Sequence, residues 1–169
     1  MGGLTLAQLR WIFTSWTDEM LENDRDGGLD IRSVIPNNDG DNIKEWSDFD
    51  SRCTEEPIKI SGHGKGSGTN GFFSEVVFCA ECYDGEDGFT PEDYNRTCSL
   101  DVTTGHVEDP EDGNCRYRPS HDAVEITEWL EQGSGNMIGY FGLAHVAEHI
   151  DQVEAIAIAV DRSRGHKDT

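Results

Sequence analysis

A glycine-rich loop between a short apolar segment and an apolar helix constrains this fold more than any other feature of the sequence. Pro57–Ile60 has the β-branched composition of a short strand, and the loop Gly62–Thr69 follows it, with glycine at every second position as far as Gly68. The next helix is predicted from apolar residues at helical spacing, namely Phe72, Phe73, Val76, Val77 and Ala80. A strand that passes through a glycine loop into a helix is typical of α/β sheets.

The rest of the chain continues this alternation of helices and strands. Thr5 is placed to cap an N-terminal helix with an inward face of Leu6, Leu9, Ile12, Phe13 and Trp16. A later helix, stopped by Gly133, is expected to bury Ala123, Val124, Ile126, Trp129 and Leu130. A buried strand at Met137–Phe141, a short helix at Ala144–Ile150 and a closing strand at Ala155–Val160 complete the prediction. Trp11, Trp16, Trp129, Phe72 and Phe73 are expected in the core.

Length and charge limit the domain organisation and the partners. The 169 residues predict one domain over residues 1–161, with an acidic, cysteine-bearing insertion at about 84–119 and a frayed tail at 162–169. With 13 basic and 34 acidic residues, the formal net charge is -21. Nucleic acids and anionic membranes attract basic proteins, so both are excluded as partners. No apolar stretch is long enough to span a bilayer, so membrane insertion is not expected.

The five cysteines favour an oxidising, extracytoplasmic location. Disulfide bonds are predicted among four of them, and the alternatives are a zinc site, a redox motif at the Cys-x-x-Cys pair or a buried thiol. The four disulfide candidates are Cys79, Cys82, Cys98 and Cys115. Asn95 begins an Asn-Arg-Thr acceptor sequence for glycosylation. The N-terminus lacks the pattern of a signal peptide, so a mature fragment is expected.

The glycine loop has the chemistry of an anion site. A helix N-terminus exposes unpaired amides and a partial positive charge, and glycines allow a ligand to approach the backbone closely. Ser67 and Thr69 add hydroxyl donors, which suits a tetrahedral oxyanion. The alternative is a flexible turn in which Thr69 only caps the helix. Lys65 precedes Gly66, so this is not the Gly-Lys-Ser/Thr triplet of a nucleotide-binding P-loop.

Four motifs in this order resemble the phosphate-binding proteins of bacterial ABC transporters. They are the helix Leu4–Phe13, the Trp-Ser-Asp segment around Trp46, the strand with its Gly-Ser-Gly-Thr loop and Phe-rich helix, and Gly-Asn-Met-Ile-Gly-Tyr at 135–140. The resemblance implies a three-layer αβα, periplasmic-binding-protein-like lobe over about Leu4–Val160. It also implies a two-lobed clamshell of which this chain has the second lobe, so the first would come from elsewhere in a longer protein or from another chain.

The same resemblance implies how phosphate is bound. Ser67, Gly68 and Thr69, with Gly66 before them, match positions that donate hydrogen bonds to phosphate. Where the family usually has an arginine and the aspartate that orients it, this chain has His63 and Lys65, so the bidentate arginine contact is lost. A non-enzymatic, cofactor-free oxyanion-binding module is therefore expected. The alternative is a structural or interaction domain of a larger secreted or surface protein, which has kept the fold and lost the ligand.

Two further patterns predict metal chemistry only weakly. His145–His149 fits His-x-x-E-His, which supplies two zinc ligands and a base in some metalloproteases, but too few residues follow it to supply a third ligand from a distant helix. We therefore expect a solvated helical face there. Glu22–Asp30 resembles the start of a calcium loop, but its twelfth position is Ser33 instead of glutamate. The prediction is consequently no metal site.

Overall fold

The computed structural model describes residues 3–14, 17–22, 30–41, 43–64, 66–78, 99–100, 107–108, 116–132, 136–148, 156 and 158–159. The helices are α1 (Leu6–Phe13), α2 (Asp18–Glu22), α3 (Ile31–Val34), a 3₁₀ turn at Trp46–Asp48, α4 (Gly68–Phe78), α5 (Ala123–Gln132) and α6 (Leu143–Glu148). The strands are β1 (Leu4–Thr5), β2 (Lys59–His63), β3 (Ser99–Leu100), β4 (Val107–Glu108), β5 (Tyr117–Ser120), β6 (Met137–Tyr140) and β7 (Ile158–Ala159).

The largest described sheet is parallel and has the order β5-β2-β6. The chain moves from β2 to one neighbour, β5, and then crosses over β2 to reach β6. Because crossovers between parallel strands are right-handed, this reversal of direction places α4 and α5 on opposite faces. Contacts agree, since Phe73 of α4 stacks on Tyr140 at 3.9 Å while Leu130 of α5 lies against Gly139 on the other face of β6. The predicted α/β fold with three αβα layers is confirmed.

The main core lies between α1, α4 and one face of the sheet. Thr5 and Gln8 form a reciprocal capping box at the start of α1, so the predicted cap is confirmed. Phe13 packs edge-on against Phe73 and Tyr140, at centroid distances of 4.8 and 5.9 Å. The fully enclosed side chains of this cluster are Trp11, Ile12, Phe13, Leu21, Ile35, Ile58, Ile60, Val77 and Tyr117.

Two cationic side chains, Lys44 and Arg116, donate hydrogen bonds to the carbonyls at the C-terminal end of α1. Lys44 is buried, and its Nζ donates to the carbonyls of Trp11 at 2.6 Å and Thr14 at 2.7 Å. The Arg116 guanidinium donates to the carbonyls of Ile12, Thr14 and Ile58, at 2.6, 2.9 and 3.0 Å. The last carbonyls of a helix have no intrahelical partner and carry partial negative charge, so these contacts satisfy them and join α1 to the sheet.

Burial of the cationic pair lowers both pKa values. Desolvation, with repulsion from Arg116 second, holds the pKa of Lys44 well below its usual value, while Asp18 acts in the opposite direction. Burial lowers the pKa of Arg116 to about 10, so the guanidinium stays charged at neutral pH.

Smaller pairings complete the described structure. β1 and β7 pair in parallel, with Leu4 opposite Ile158, and β3 and β4 form an antiparallel pair. No helix within the described residues is long and apolar enough to cross a membrane.

Several expectations about burial and boundaries are corrected. Phe72 is 69% exposed and Val124 is 47% exposed, so neither belongs to the core. β2 continues through Gly62 to His63, which shortens the loop, and α4 already begins at Gly68. The segment assigned to the acidic insertion ends earlier than expected, because Tyr117 opens a strand of the main sheet. Trp16, residues 81–98, residues 109–115, His149 and the tail 162–169 lie outside the described residues.

We predict that Gly62→Ala destabilises the fold by about 1–3 kcal/mol, because the added methyl group would clash with the buried ring of Tyr140. Gly71→Ala is the matched control, since a methyl group at that helical position meets nothing within 4 Å. It should be neutral or slightly stabilising. Denaturant unfolding measures both changes, and equal stability of the two variants would contradict the close packing of β2 on Tyr140.

We predict that Arg116→Met costs about 2–5 kcal/mol, because it leaves enclosed carbonyls without donors. Arg52→Met is the control, since the Arg52 side chain is 87% exposed and pairs with Asp50 on the surface. Little change is expected there. Chemical unfolding of both proteins tests the difference, and a mild effect at Arg116 would show that water replaces its contacts.

Candidate functional site

The carboxyl ends of β2 and β5 lie side by side in the sheet. The chain leaves β2 towards one face of the sheet and leaves β5 towards the other, and ligands of open α/β sheets bind where connections diverge in this way. The glycine loop continues from β2 after His63, and the segment from Ser120 to Asp122 continues from β5. The Gly64 amide donates to the Ser120 carbonyl at 3.1 Å, which joins the two segments directly after the strands.

The loop enters α4 through a tight turn that only glycine accommodates readily. Gly66 has φ of 86°, in the left-handed region, and the Ser67 amide donates to the Gly64 carbonyl at 3.2 Å. Ser67 caps α4, because its Oγ accepts from the Thr69 amide at 3.2 Å and its carbonyl accepts from the Gly71 amide at 3.0 Å. The cap is therefore Ser67, and the alternative in which Thr69 caps the helix is wrong.

The structure brings most of the predicted ligand residues to this edge. Gly66 and Gly68 are exposed at the turn, and Ser67 and Thr69 are half-buried beside them. His63 ends β2 and is half-buried. Lys65 lies outside the described residues. Because Ser67 Oγ accepts a hydrogen bond within the helix cap, its hydroxyl proton is what remains to donate to a ligand.

The His63 carbonyl anchors the loop to three elements. Asn70 Nδ2 donates to it at 2.6 Å, and the hydroxyls of Tyr117 and Tyr140 lie 3.0 and 2.9 Å from it. The two hydroxyls are also 3.0 Å apart. Each hydroxyl has one proton, so at any moment these protons serve two of the three contacts in the triangle. Ser74 donates to Asn70 Oδ1 at 3.1 Å and so orients the amide.

Sequence reasoning missed this anchoring cluster. Asn70 and Ser74 are 1% and 2% exposed, and Tyr117 is fully buried. Asn70 and Ser74 are four residues apart near the start of a helix with many apolar residues, so they lie on the same helix face. This spacing could have indicated a buried polar cluster, because a buried amide or hydroxyl requires hydrogen-bond partners. The other two partners of the His63 carbonyl, Tyr117 and Tyr140, lie 54 and 77 residues further along the chain, where no local pattern points to them.

Three imidazoles lie at the same edge as the loop. Burial lowers the pKa of His63, repulsion from His121 and His145 adds to the effect, and Asp122 opposes it. The Asp122 carboxylate accepts from the Val124 amide at 2.8 Å and so caps α5. His145 Nε2 is 2.7 Å from Thr127 Oγ1, and its ring meets Phe141 edge-on at 5.1 Å.

The structure describes only some residues of the other sites that the sequence predicted or weighed. His145 is half-buried against α5 instead of lying on a solvated face, and His149 is not among the described residues. Across the part of the chain that is described, no group of three or more metal-ligating side chains is placed to hold a metal ion. Cys53 is a free, half-buried thiol. The four disulfide candidates, Asn95 and most of the calcium-like loop, residues 23–29, lie outside the described ranges.

We predict that Tyr117→Phe and Tyr140→Phe each cost about 0.5–1.5 kcal/mol, because each removes a hydroxyl proton from the His63 cluster. The double variant should cost less than the sum of the two, with a coupling of at least about 0.5 kcal/mol, since the hydroxyls contact one another. Urea unfolding of the four proteins in this cycle gives the coupling. Strict additivity would show that the hydroxyls act independently.

No protein-family model matches the sequence, and no curated protein matches it. One solved structure that matches is the crystal structure of a possible phosphate binding protein from Planctomyces limnophilus DSM 3776, with 18% sequence identity and a TM-score of 0.49. The match covers 94% of this chain and 37% of that protein, so the chain spans little more than a third of its length.

Proposed function

We propose that this chain is an oxyanion-binding module that captures phosphate, or a similar tetrahedral anion, non-covalently at Gly66–Thr69. The observation that carries the proposal is the capped N-terminus of α4, which follows the carboxyl end of β2 at the edge where the connections after β2 and β5 diverge. The partial positive charge of a helix N-terminus attracts an anion, and ligands of open α/β sheets bind at edges of this kind.

The groups in this proposal divide into donors and charges. The Gly68 amide heads α4, and the hydroxyls of Ser67 and Thr69 donate from either side of it. His63 and Lys65 supply positive charge in place of an arginine. An imidazole or an ammonium gives a single-point contact where a guanidinium gives two parallel hydrogen bonds, so the affinity should be modest. We expect a Kd on the order of 1 mM, about -4 kcal/mol.

The acidic character of the chain does not prevent binding at this loop. The formal net charge is -21, but charges farther away than about 8 Å are largely screened at physiological ionic strength. Two carboxylates that follow β5 hold local hydrogen bonds, since Asp122 caps α5 and Glu125 accepts from Ser120 Oγ at 2.7 Å. The net charge should slow capture of the anion more than it weakens the bound state.

The wider role belongs to the same proposal. The lobe would work outside the cytoplasm as part of a periplasmic-binding-protein-like clamshell, with a first lobe elsewhere in a longer protein or in another chain. Closure of that lobe over the anion would supply further donors. The proposed activity is binding without catalysis, and the disulfides and the glycosylation of Asn95 remain predictions.

The decisive variant is Ser67→Asp, with Ser67→Asn as its matched control. Asp and Asn cap helices about as well as Ser, so both variants should keep α4. The aspartate places a negative charge where the anion would lie, so phosphate affinity should fall at least about tenfold, whereas the asparagine should change it far less. Isothermal titration with phosphate and sulfate measures the affinities, and thermal unfolding checks the fold.

A second variant and a second control address the hydroxyl of Thr69. Thr69→Val keeps the side-chain shape and removes the donor, so phosphate binding should weaken, whereas Thr54→Val lies before β2 at the opposite end of the sheet and should have no effect. Equal phosphate affinity in Ser67→Asp and Ser67→Asn would contradict a site at this loop. No binding by the folded wild-type protein would favour the alternative, a structural or interaction domain that has lost its ligand.

A further inference from the structure

Exposed basic side chains are rare in the described part of the chain. They are Arg32 and Arg52, and Arg52 is already paired with Asp50. Exposed acidic side chains occur on α2, at Asp39 and Asp41, shortly before β2, and on α4, α5 and α6. Carboxylates therefore outnumber cations on the described surface by a wide margin.

Several of the basic side chains are bonded to the backbone of the chain itself. Lys44 and Arg116 donate to the carbonyls at the end of α1. Arg10 Nε donates to the Val77 carbonyl at 3.0 Å. The sequence has 34 acidic and 13 basic residues, and some of the 13 are used in this way. The described surface is therefore more acidic than the composition alone indicates.

The outer face of α5 brings like charges close together. Glu125, Glu128 and Glu131 are exposed, and each lies three residues from the next, so successive carboxylates are neighbours on the helix surface. Arg118 lies over the Trp129 ring at 4.9 Å, where Glu125 and Glu128 attract it. The last turn of α5 has no basic residue, so Glu131 adds negative charge to the partially negative end of the helix.

A second group of carboxylates lies at the 3₁₀ turn that contains Trp46. Glu45 and Asp48 each accept a hydrogen bond from the backbone amide of the other, which holds both carboxylates on the same turn. Burial raises the pKa of Asp48, and repulsion from Glu45, Asp39 and Asp41 adds to this effect, while the hydrogen bond from the Glu45 amide opposes it. The fold therefore disfavours the charged form of Asp48.

We propose that the folded state of this chain depends on concentrated salt, because its exposed carboxylates repel one another until dissolved cations screen them. A net charge far from zero destabilises a compact state through this self-repulsion, and the formal net charge here is -21. The inference does not rest on the oxyanion site.

Two lengths set the salt concentration that is needed. Helix residues three or four apart have Cβ atoms about 5–6 Å from each other. The screening length is about 10 Å at 0.1 M ionic strength and about 3 Å at 1 M. Dilute salt therefore leaves neighbouring carboxylates such as Glu128 and Glu131 unscreened, whereas molar salt removes most of their repulsion.

Thermal unfolding of the wild-type protein tests this inference, followed by circular dichroism in KCl from about 0.05 to 3 M. Chloride is not a tetrahedral oxyanion, so the measurement does not involve the proposed phosphate site. The unfolding midpoint should rise by at least about 10 °C between about 0.1 and 2 M KCl. NaCl should have the same effect, since screening depends on ionic strength and not on the identity of the cation.

The variant Glu131→Lys tests whether repulsion between carboxylates is the cause. Lysine has a helix propensity close to that of glutamate, suits the C-terminal end of α5 and can pair with Glu128. The midpoint should rise by about 2–4 °C in about 0.1 M KCl, and most of this gain should disappear in 2 M KCl. Asp50→Lys is the matched control, because it changes the net charge equally but replaces a carboxylate that Arg52 already pairs, so it should bring no gain.

Three results would overturn the inference. The first is a midpoint of the wild-type protein that stays constant or falls as KCl rises from about 0.1 to 2 M. The second is a rise in KCl that NaCl does not reproduce, since this would indicate a specific ion site instead of screening. The third is a gain in Glu131→Lys that is equally large in dilute and in molar salt, which would show that salt does not act on the repulsion between carboxylates.

Discussion

The hydrogen bonds from Arg116 and Lys44 to the end of α1 hold the described layers in place. The chain has 34 acidic residues, yet within the described ranges these two cations bond to backbone carbonyls and the Thr14 hydroxyl, and to no carboxylate. Burial, and second the repulsion from Arg116, makes the charged form of Lys44 costly and lowers its pKa. The carbonyls of Trp11, Ile12, Thr14 and Ile58 offset that cost, since a helix C-terminus carries partial negative charge. Loss of either cation would therefore leave carbonyls at the end of α1 without their donors.

Two consecutive residues, Arg116 and Tyr117, connect the end of α1 to the proposed site. Arg116 joins the entrance of β5 to α1, and Tyr117, the next residue, extends its hydroxyl towards the His63 carbonyl at the far end of β2. The position of β5 beside β2 is thus fixed at both ends of the pairing. The glycine loop begins directly after His63, so its geometry depends on contacts made from α4, β5 and β6.

Features of the fold that depend on residues close together in the chain could be predicted from the sequence. The Thr5 cap and the inward face of α1 follow from residues within one or two turns, and the structure has both. The start of α4 was placed too late, because the Ser67 cap outweighs the low helix propensity of two glycines. Phe72 was expected inside because apolar residues were assigned inward as a group, yet Phe73 occupies the inward direction and Phe72 projects into solvent. Arg116 reaches Ile12 across 104 residues, a contact that no periodicity encodes.

The separation of the charges along the sheet limits which groups can attract an anion at the loop. From Ile58, where Arg116 bonds, to His63 the strand rises about 16 Å, at roughly 3.3 Å per residue. At that distance the guanidinium cannot contact an anion at the loop, and it is already bonded to carbonyls. The permanent cations of the core therefore contribute little potential at the carboxyl edge. At this edge an anion would be attracted by the N-terminus of α4 and by the side chains of the loop itself, so the proposed site depends on local groups and not on the buried cations.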